Sequence, residues 1–179
     1  MEKTDIFETV SIRPVNCTAR QLSAFTAIVQ ESGEVPLANL KRGVAMAEML
    51  FFTLSQTDAI AGVSAIRFQN RVYHEHLFEK AGVPEMFNPH SVESCWLSIR
   101  PEYRGKGVWS SNRQARLDYL GNRPCHVVRR VDNKYLDGKK SIYSLAGSPF
   151  YSDTSDDKLM LLVYNHDDSL DRTKRLKYV

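Results

Sequence analysis

The stretch from Val92 to Leu120 constrains the fold most. An apolar, strand-like run, Val92-Glu93-Ser94-Cys95-Trp96-Leu97-Ser98-Ile99, enters Arg100-Pro101-Glu102-Tyr103-Arg104-Gly105-Lys106-Gly107, and a helical pattern from Val108 to Leu120 leaves it. The chain must therefore place a strand, a sharp turn and a helix in immediate succession. Gly105 and Gly107 suit a backbone that bends tightly or approaches a ligand closely. Such a loop is open to two readings. It is an ordinary strand-to-helix turn, or it is a cradle whose backbone N–H groups converge on an anion at a helix N-terminus. On the second reading Arg104 and Lys106 add positive charge, and Ser110 and Ser111 add hydroxyls.

The remaining sequence supplies a mixed set of elements around this one. Val10 to Pro14 alternates as a first strand. Thr18 with Gln21 forms a capping-box pattern ahead of Leu22, Phe25, Ile28 and Val29, and Ser32-Gly33 stops that helix. Val35 to Met49 predicts a second helix. Leu50 to Leu54 and Ile60 to Phe68 read as a hairpin, with Gly62 marking a bulge or a close neighbour. About residues 69–91 form an insertion with a short helical period through Tyr73, His76, Leu77 and Ala81. After the fourth strand, the glycine loop and its helix, Cys125 to Val131 predicts a strand and Asn133 to Ala146 a helix stopped by Gly147. Phe150-Tyr151 and Lys158 to Tyr164 are the final strands, and about residues 167–179 form a charged tail. The order predicts one α/β domain over residues 1–179, a mixed sheet of about seven strands flanked by about four helices.

A chain of 179 residues with 42% hydrophobic content can bury a sizeable core. A net charge of +3 suits an anionic ligand but is too small an excess to argue for nucleic acid. Cys17, Cys95 and Cys125 are three and widely spaced, which reads as reduced thiols of a cytoplasmic protein. Neither a signal segment at Met1 to Asp5 nor a membrane-length apolar run is evident. His74 and His76 lie two residues apart with no third ligand in sight, so no metal is expected; lining an acceptor pocket is one reading, and surface exposure is the plainer one.

The element order and the loop together resemble the GNAT superfamily of acetyl-coenzyme A-dependent N-acetyltransferases. Ile99-Arg100-Pro101 matches the step before that family's loop, and Arg104-Gly105-Lys106-Gly107 most of its signature, with Trp109 where a small residue is usual. Tyr143 followed four residues later by Gly147 is similar to a second family feature, although two residues separate Gly147 from Phe150. The resemblance implies a mostly antiparallel sheet whose strands four and five splay apart to admit acetyl-coenzyme A. Main-chain groups near Leu97 and Ile99 would hold the pantetheine amides. Arg104, Gly105, Lys106, Gly107, Val108, Trp109 and Ser110 would hold the pyrophosphate, with Asn133 also at the coenzyme. Tyr143 would protonate the leaving thiolate, against a reading as a core tyrosine. Glu93 would deprotonate the amine, against a reading as a solvated strand-end carboxylate.

The implied activity is acetyl transfer to a primary amine of a small molecule or peptide, with no membrane and no nucleic acid as partner. A GNAT-fold binding module and a nucleic-acid-modifying acyltransferase are the alternatives, and a homodimer stays open.

Overall fold

A computed structural model describes residues 6–33, 35–133 and 142–166. Seven strands hydrogen-bond in the order β1-β2-β3-β4-β5-β7-β6. By internal contacts the chain divides into two compact units. One comprises residues 1–68 with 94–121, the other 69–93 with 122–179.

In the first unit, Thr18 caps α1 (Ala19–Gln30) through the predicted reciprocal bonds: Gln21 N–H donates to Thr18 Oγ1 at 3.1 Å, and Thr18 N–H to Gln21 Oε1 at 2.8 Å. Such a cap contributes about 1 kcal/mol. α2 (Leu37–Ala45) is shorter than predicted. Pro36 precedes it, and at its far end Glu48 N–H already donates to Ile66 O at 2.9 Å, so sheet pairing captures the chain before Met49.

β1 (Glu8–Ile12), β2 (Met49–Leu54) and β3 (Ile60–Arg67) form an antiparallel ribbon. The run Leu50-Phe51-Phe52-Thr53 is buried throughout because helices cover both of its faces. Leu50 and Phe52 join Phe25, Ile28, Leu40 and Val44 of α1 and α2 in one core. Phe51 and Thr53 face α4 (Val108–Leu120), where Phe51 meets Tyr119 edge-on at 5.8 Å and Asn112 Nδ2 donates to Thr53 Oγ1 at 3.1 Å. Each fully buried aliphatic or aromatic side chain stabilises by roughly 1.5–3 kcal/mol. Gly62 combines both expected meanings. The β2–β3 register shifts beside it, and a Cβ there would lie 2.9 Å from Val108 Cγ1.

In the second unit, Asn70 caps α3 (Arg71–Lys80) by accepting from Val72 N–H at 3.0 Å. β5 (Cys125–Arg130) and β6 (Ser144–Tyr151) flank β7 (Lys158–Tyr164) with antiparallel pairing on both sides. Leu77, Phe78 and Ala81 from α3 pack with Ala146, Phe150, Leu161 and Val163.

The sequence-based helix over Asn133 to Ala146 is corrected here. Residues 134–141 lie outside the described residues, but Ser144, Leu145 and Ala146 pair with Val163, Leu162 and Leu161 as strand. Ala146 and Phe150 are the buried positions of β6, and a spacing of four fits a helix as readily as a strand. Between them Gly147, Ser148 and Pro149 stand opposite Met160 alone, a bulge that admits a proline within the ladder. At that bulge Gly147 has φ +67°, and a Cβ on it would lie 2.0 Å from Ala81 O. Gly147 is therefore the contact that seats the end of α3 on β6, and not a helix stop.

β4 (Val92–Ile99) begins in the second unit and continues into the first. Its parallel register with β5 covers two pairs, Val92 with Cys125 and Glu93 with His126.

Candidate functional site

The glycine loop lies wholly in the first unit. A short 3-10 turn, Pro101–Tyr103, follows β4, and the chain then passes through Gly105 at φ +74° and Gly107 at φ +99°. Both are left-handed conformations that a side chain makes unfavourable. A Cβ at either position would meet nothing within 4 Å, so the glycines answer a conformational demand and leave open space beside the loop. Gly107 caps α4 without any side-chain hydrogen bond, and Ser111 N–H to Gly107 O at 3.2 Å is the first bond of the helix. Helical geometry thus leaves the amides of Val108, Trp109 and Ser110 without partners inside α4. No acidic residue occupies the first turn.

The loop side chains divide by task. Arg104, Lys106 and Ser110 are exposed, whereas Val108 is buried against Gly62 and anchors the loop to β3. Arg104 Nε donates to Ile99 O at 3.1 Å, and Lys106 Nζ stands 5.9 Å from the centre of the Tyr103 ring. The Ser111 hydroxyl belongs to the scaffold: it bonds Thr9 Oγ1 at 2.8 Å and Phe7 O at 3.3 Å. Trp109 is half-buried, and its ring is met at 5.1 Å by the guanidinium of Arg116, two turns farther along α4. Arg116 Nη1 in turn donates to Ser94 Oγ at 2.6 Å. Beside the loop, Phe7, Ser55, Thr57, Tyr103 and Lys106 line much of a hollow of about 250 Å³.

Leu97 and Ile99 are half-buried on β4, but strict alternation does not hold there. Trp96 has φ +54°, and this left-handed residue breaks the two-residue period, so neighbours Cys95 and Trp96 both pack on the core of α1 and α2. The indole lies edge-on to Phe25 at 6.3 Å, beneath the Arg67 guanidinium at 4.6 Å, and against Gly43 of α2, where a Cβ would come within 2.7 Å of it.

Glu93, Asn133 and Tyr143 belong to the second unit. Glu93 is 6% exposed, which corrects the solvated strand-end reading. Tyr143 is half-buried immediately before β6, its ring 5.9 Å from that of Tyr164, so the helix expected to carry it is absent at its C-terminal side. Asn133 N–H closes a turn onto Arg130 O at 3.3 Å. Arg130 pairs with Asp132 and Asp157, and Arg129 Nε meets Met160 Sδ at 3.1 Å.

The surface reading of the histidine pair holds for His76 alone, because His74 is 3% exposed and turned inward with Leu77 and Phe78. It stacks on His126 at 4.2 Å, and Ser91 bridges His126 and His166. Nothing in the spacing of these residues announces that cluster. Among the described residues no helix is long and apolar enough to cross a membrane.

No protein-family model matches the chain, and no curated protein matches it. Solved structures do. An acyl-CoA N-acyltransferase from Pseudomonas aeruginosa superimposes with a TM-score of 0.61 at 11% identity, over 89% of this chain and 99% of that one. ElaA from Escherichia coli matches with a TM-score of 0.62 at 10% identity, over 89% and 99%. FeeM, an N-acyl amino acid synthase from uncultured soil microbes, matches with a TM-score of 0.64 at 10% identity, over 90% and 91%. This chain has the GNAT fold. At such identities the likeness concerns the fold, and any chemistry must be argued from the side chains.

Within the GNAT fold the glycine loop lies after the fourth strand, and its residues fit a pyrophosphate. Two left-handed glycines face open space, first-turn amides lack intrahelical partners, and Arg104 and Lys106 are exposed beside them. A helix N-terminus favours an anion by about 0.3–1 kcal/mol at an exposed site, before any side-chain charge is added.

Proposed function

We propose that this GNAT-fold chain is one acyltransferase domain that transfers the acetyl group of acetyl-coenzyme A to a primary amine of a small molecule or peptide. The observation that carries the reading is the left-handed loop at Gly105 and Gly107, open to solvent at the start of α4. In this reading the amides from Gly105 to Trp109, with Arg104, Lys106 and Ser110, hold the pyrophosphate. Main-chain groups of Leu97 and Ile99 hold the pantetheine amides, and Asn133 contacts the coenzyme. Bound acetyl-coenzyme A supplies an activated thioester. Glu93, shielded from bulk water at 6% exposure, takes the proton of the attacking amine. The Tyr143 hydroxyl returns a proton to the departing sulfur.

Calorimetry with acetyl-coenzyme A, followed by thiol release over a panel of amines, tests the proposal. Binding with thiol release on one class of amine supports it; no binding at about millimolar coenzyme, a very weak ligand by affinity arithmetic, refutes it. Tyr143→Phe should lower turnover at least about tenfold with coenzyme affinity preserved. A second reading, a coenzyme-binding module without turnover, draws on the position of Tyr143 ahead of β6 and predicts binding with no thiol release for any amine.

A further inference from the structure

The second unit contains a buried chain of hydrogen bonds whose direction follows from the Gln69 amide oxygen that faces His126. His126 Nε2 lies 3.1 Å from Gln69 Oε1, an oxygen that can only accept, so Nε2 carries the hydrogen. In the neutral ring Nδ1 is then an acceptor, and the Ser91 hydroxyl donates to it at 3.0 Å. Ser91 Oγ is left to accept from His166 Nε2–H at 2.8 Å. Ser91 is 1% exposed and His126 fully buried, whereas His166 is half-buried. Above His126 lies the His74 ring, 4.2 Å away and within 15° of parallel, with its Nε2 buried and lacking a hydrogen-bond partner.

This chain of bonds accepts one proton and not a second. A proton on His166 leaves its Nε2–H donating to Ser91, and the bonds from Ser91 to His126 and from His126 to Gln69 survive. A further proton on His126 Nδ1 sets two N–H donors against Ser91 Oγ and displaces its hydrogen, in a buried site where an unmatched polar group is costly. A proton on His74 instead puts a cation against the neighbouring imidazole face. Among the described residues, the groups near the stack include Glu75 on α3, the buried Glu93 opposite His126, His166 beyond β7, and the rings of Phe78 and Phe87. Burial and His166 hold His74 down to about 4, with Glu75 opposing.

The cluster sits on the join between β4 and β5. Ser91 immediately precedes β4, His126 lies opposite Glu93 in the two-pair register, and Val92 N–H donates to Pro124 O at 3.1 Å. We propose that Ser91, His126 and His166, with His74 stacked above them, form an acid-sensitive clasp on this ladder. Singly protonated or neutral, it holds Glu93 opposite His126; with a second proton it releases that rung. The inference deepens the acetyl-transfer reading, on which it rests for the role of Glu93, because it makes Ser91 and His126 positioning residues for the base.

Amide exchange by NMR on the full chain without coenzyme tests the clasp. Protection of the Val92 amide, corrected for intrinsic exchange, should fall about tenfold or more between about pH 7.5 and about pH 5, while the Glu48 amide, bonded to Ile66 O, keeps its protection. Ser91→Ala should show weak Val92 protection at both pH values, and Ser91→Thr, which keeps the hydroxyl, should restore the pH dependence. His74→Phe keeps a ring on the stack without a second cation and should move the fall to lower pH. Val92 protection that is flat with pH in the wild type overturns the clasp, as does a Ser91→Ala variant matching the wild type. Should Ser91→Ala not fold, an unmoved midpoint in His74→Phe overturns it equally. A wild type that binds no coenzyme or acetylates no amine counts against the reaction alone, since exchange is read without either.

Discussion

Replacing Gly147 with alanine should destabilise the second unit far more than a glycine-to-alanine change usually does. The residue sits at φ +67°, where an L side chain costs about 1–2 kcal/mol. The added Cβ would also lie 2.0 Å from Ala81 O and 2.9 Å from Ala81 C, which are backbone atoms that no rotamer change can move aside. Relief requires the end of α3 to lift from β6, breaking the 2.9 Å bond from Ser148 N–H to Ala81 O, worth about 1 kcal/mol, and loosening Ala81 from its core. Together these amount to roughly 3–4 kcal/mol. Gly105→Ala is the matched control, since its φ is +74° but a Cβ there meets nothing within 4 Å; it should cost only the conformational part, about 1–2 kcal/mol. Urea melts followed by far-UV circular dichroism give the two costs. Trp96 and Trp109 both lie in the first unit, so indole fluorescence is the wrong probe, and exchange of the Ser148 amide is the local one. Equal costs for the two variants would refute the steric part of the reasoning.

Three further outcomes are expected. Burial, aided by His166, lowers His74 to about 4 from 6.5, so the folded state binds fewer protons than the unfolded one between those values. Stability is then complete above about pH 6.5 and declines as pH falls toward about 4, by roughly 3 kcal/mol in all; urea midpoints against pH should show this in the wild type and less of it in His74→Phe. Asn112 is fully buried, accepting from Ser64 Oγ at 2.6 Å and donating to Thr53 Oγ1 at 3.1 Å, so Asn112→Ala should cost about 2–3 kcal/mol in a urea melt by stripping the buried Ser64 hydroxyl of its acceptor and leaving Thr53 with Thr9 alone. Trp109→Ala removes a ring held by Arg116 and should cost about 1 kcal/mol in stability, while calorimetry should give a coenzyme affinity within about threefold of wild type.

Local chemistry made much of this fold legible. The Thr18–Gln21 cap and the strand–glycine–helix order around Gly107 are short-range signals, and both appear where the residues put them. Features set by contacts between distant segments were not legible. Ser144 to Ala146 fit a helical period until β7 pairs with them, and Glu48 is drawn off the end of α2 by Ile66. Regular alternation along β4 breaks at Trp96, because a bulky residue at φ +54° is held there by Phe25, Arg67 and Gly43, which no local rule foresees. The histidine cluster escaped for the same reason: Gln69, His74, Ser91, His126 and His166 span nearly a hundred positions and meet only in the folded unit.

The short tether from β1 to α4 has a practical side. Phe7 O and Thr9 Oγ1 both hold the Ser111 hydroxyl, and the Phe7 ring meets Tyr103 edge-on at 6.1 Å, so the start of β1 grips both flanks of the glycine loop. Anything fused or immobilised through the N-terminal end pulls directly on those two grips. Surface attachment, affinity tags or reporter dyes at that end therefore load the segment that holds the loop, and ligand measurements made there should be compared with an unattached chain.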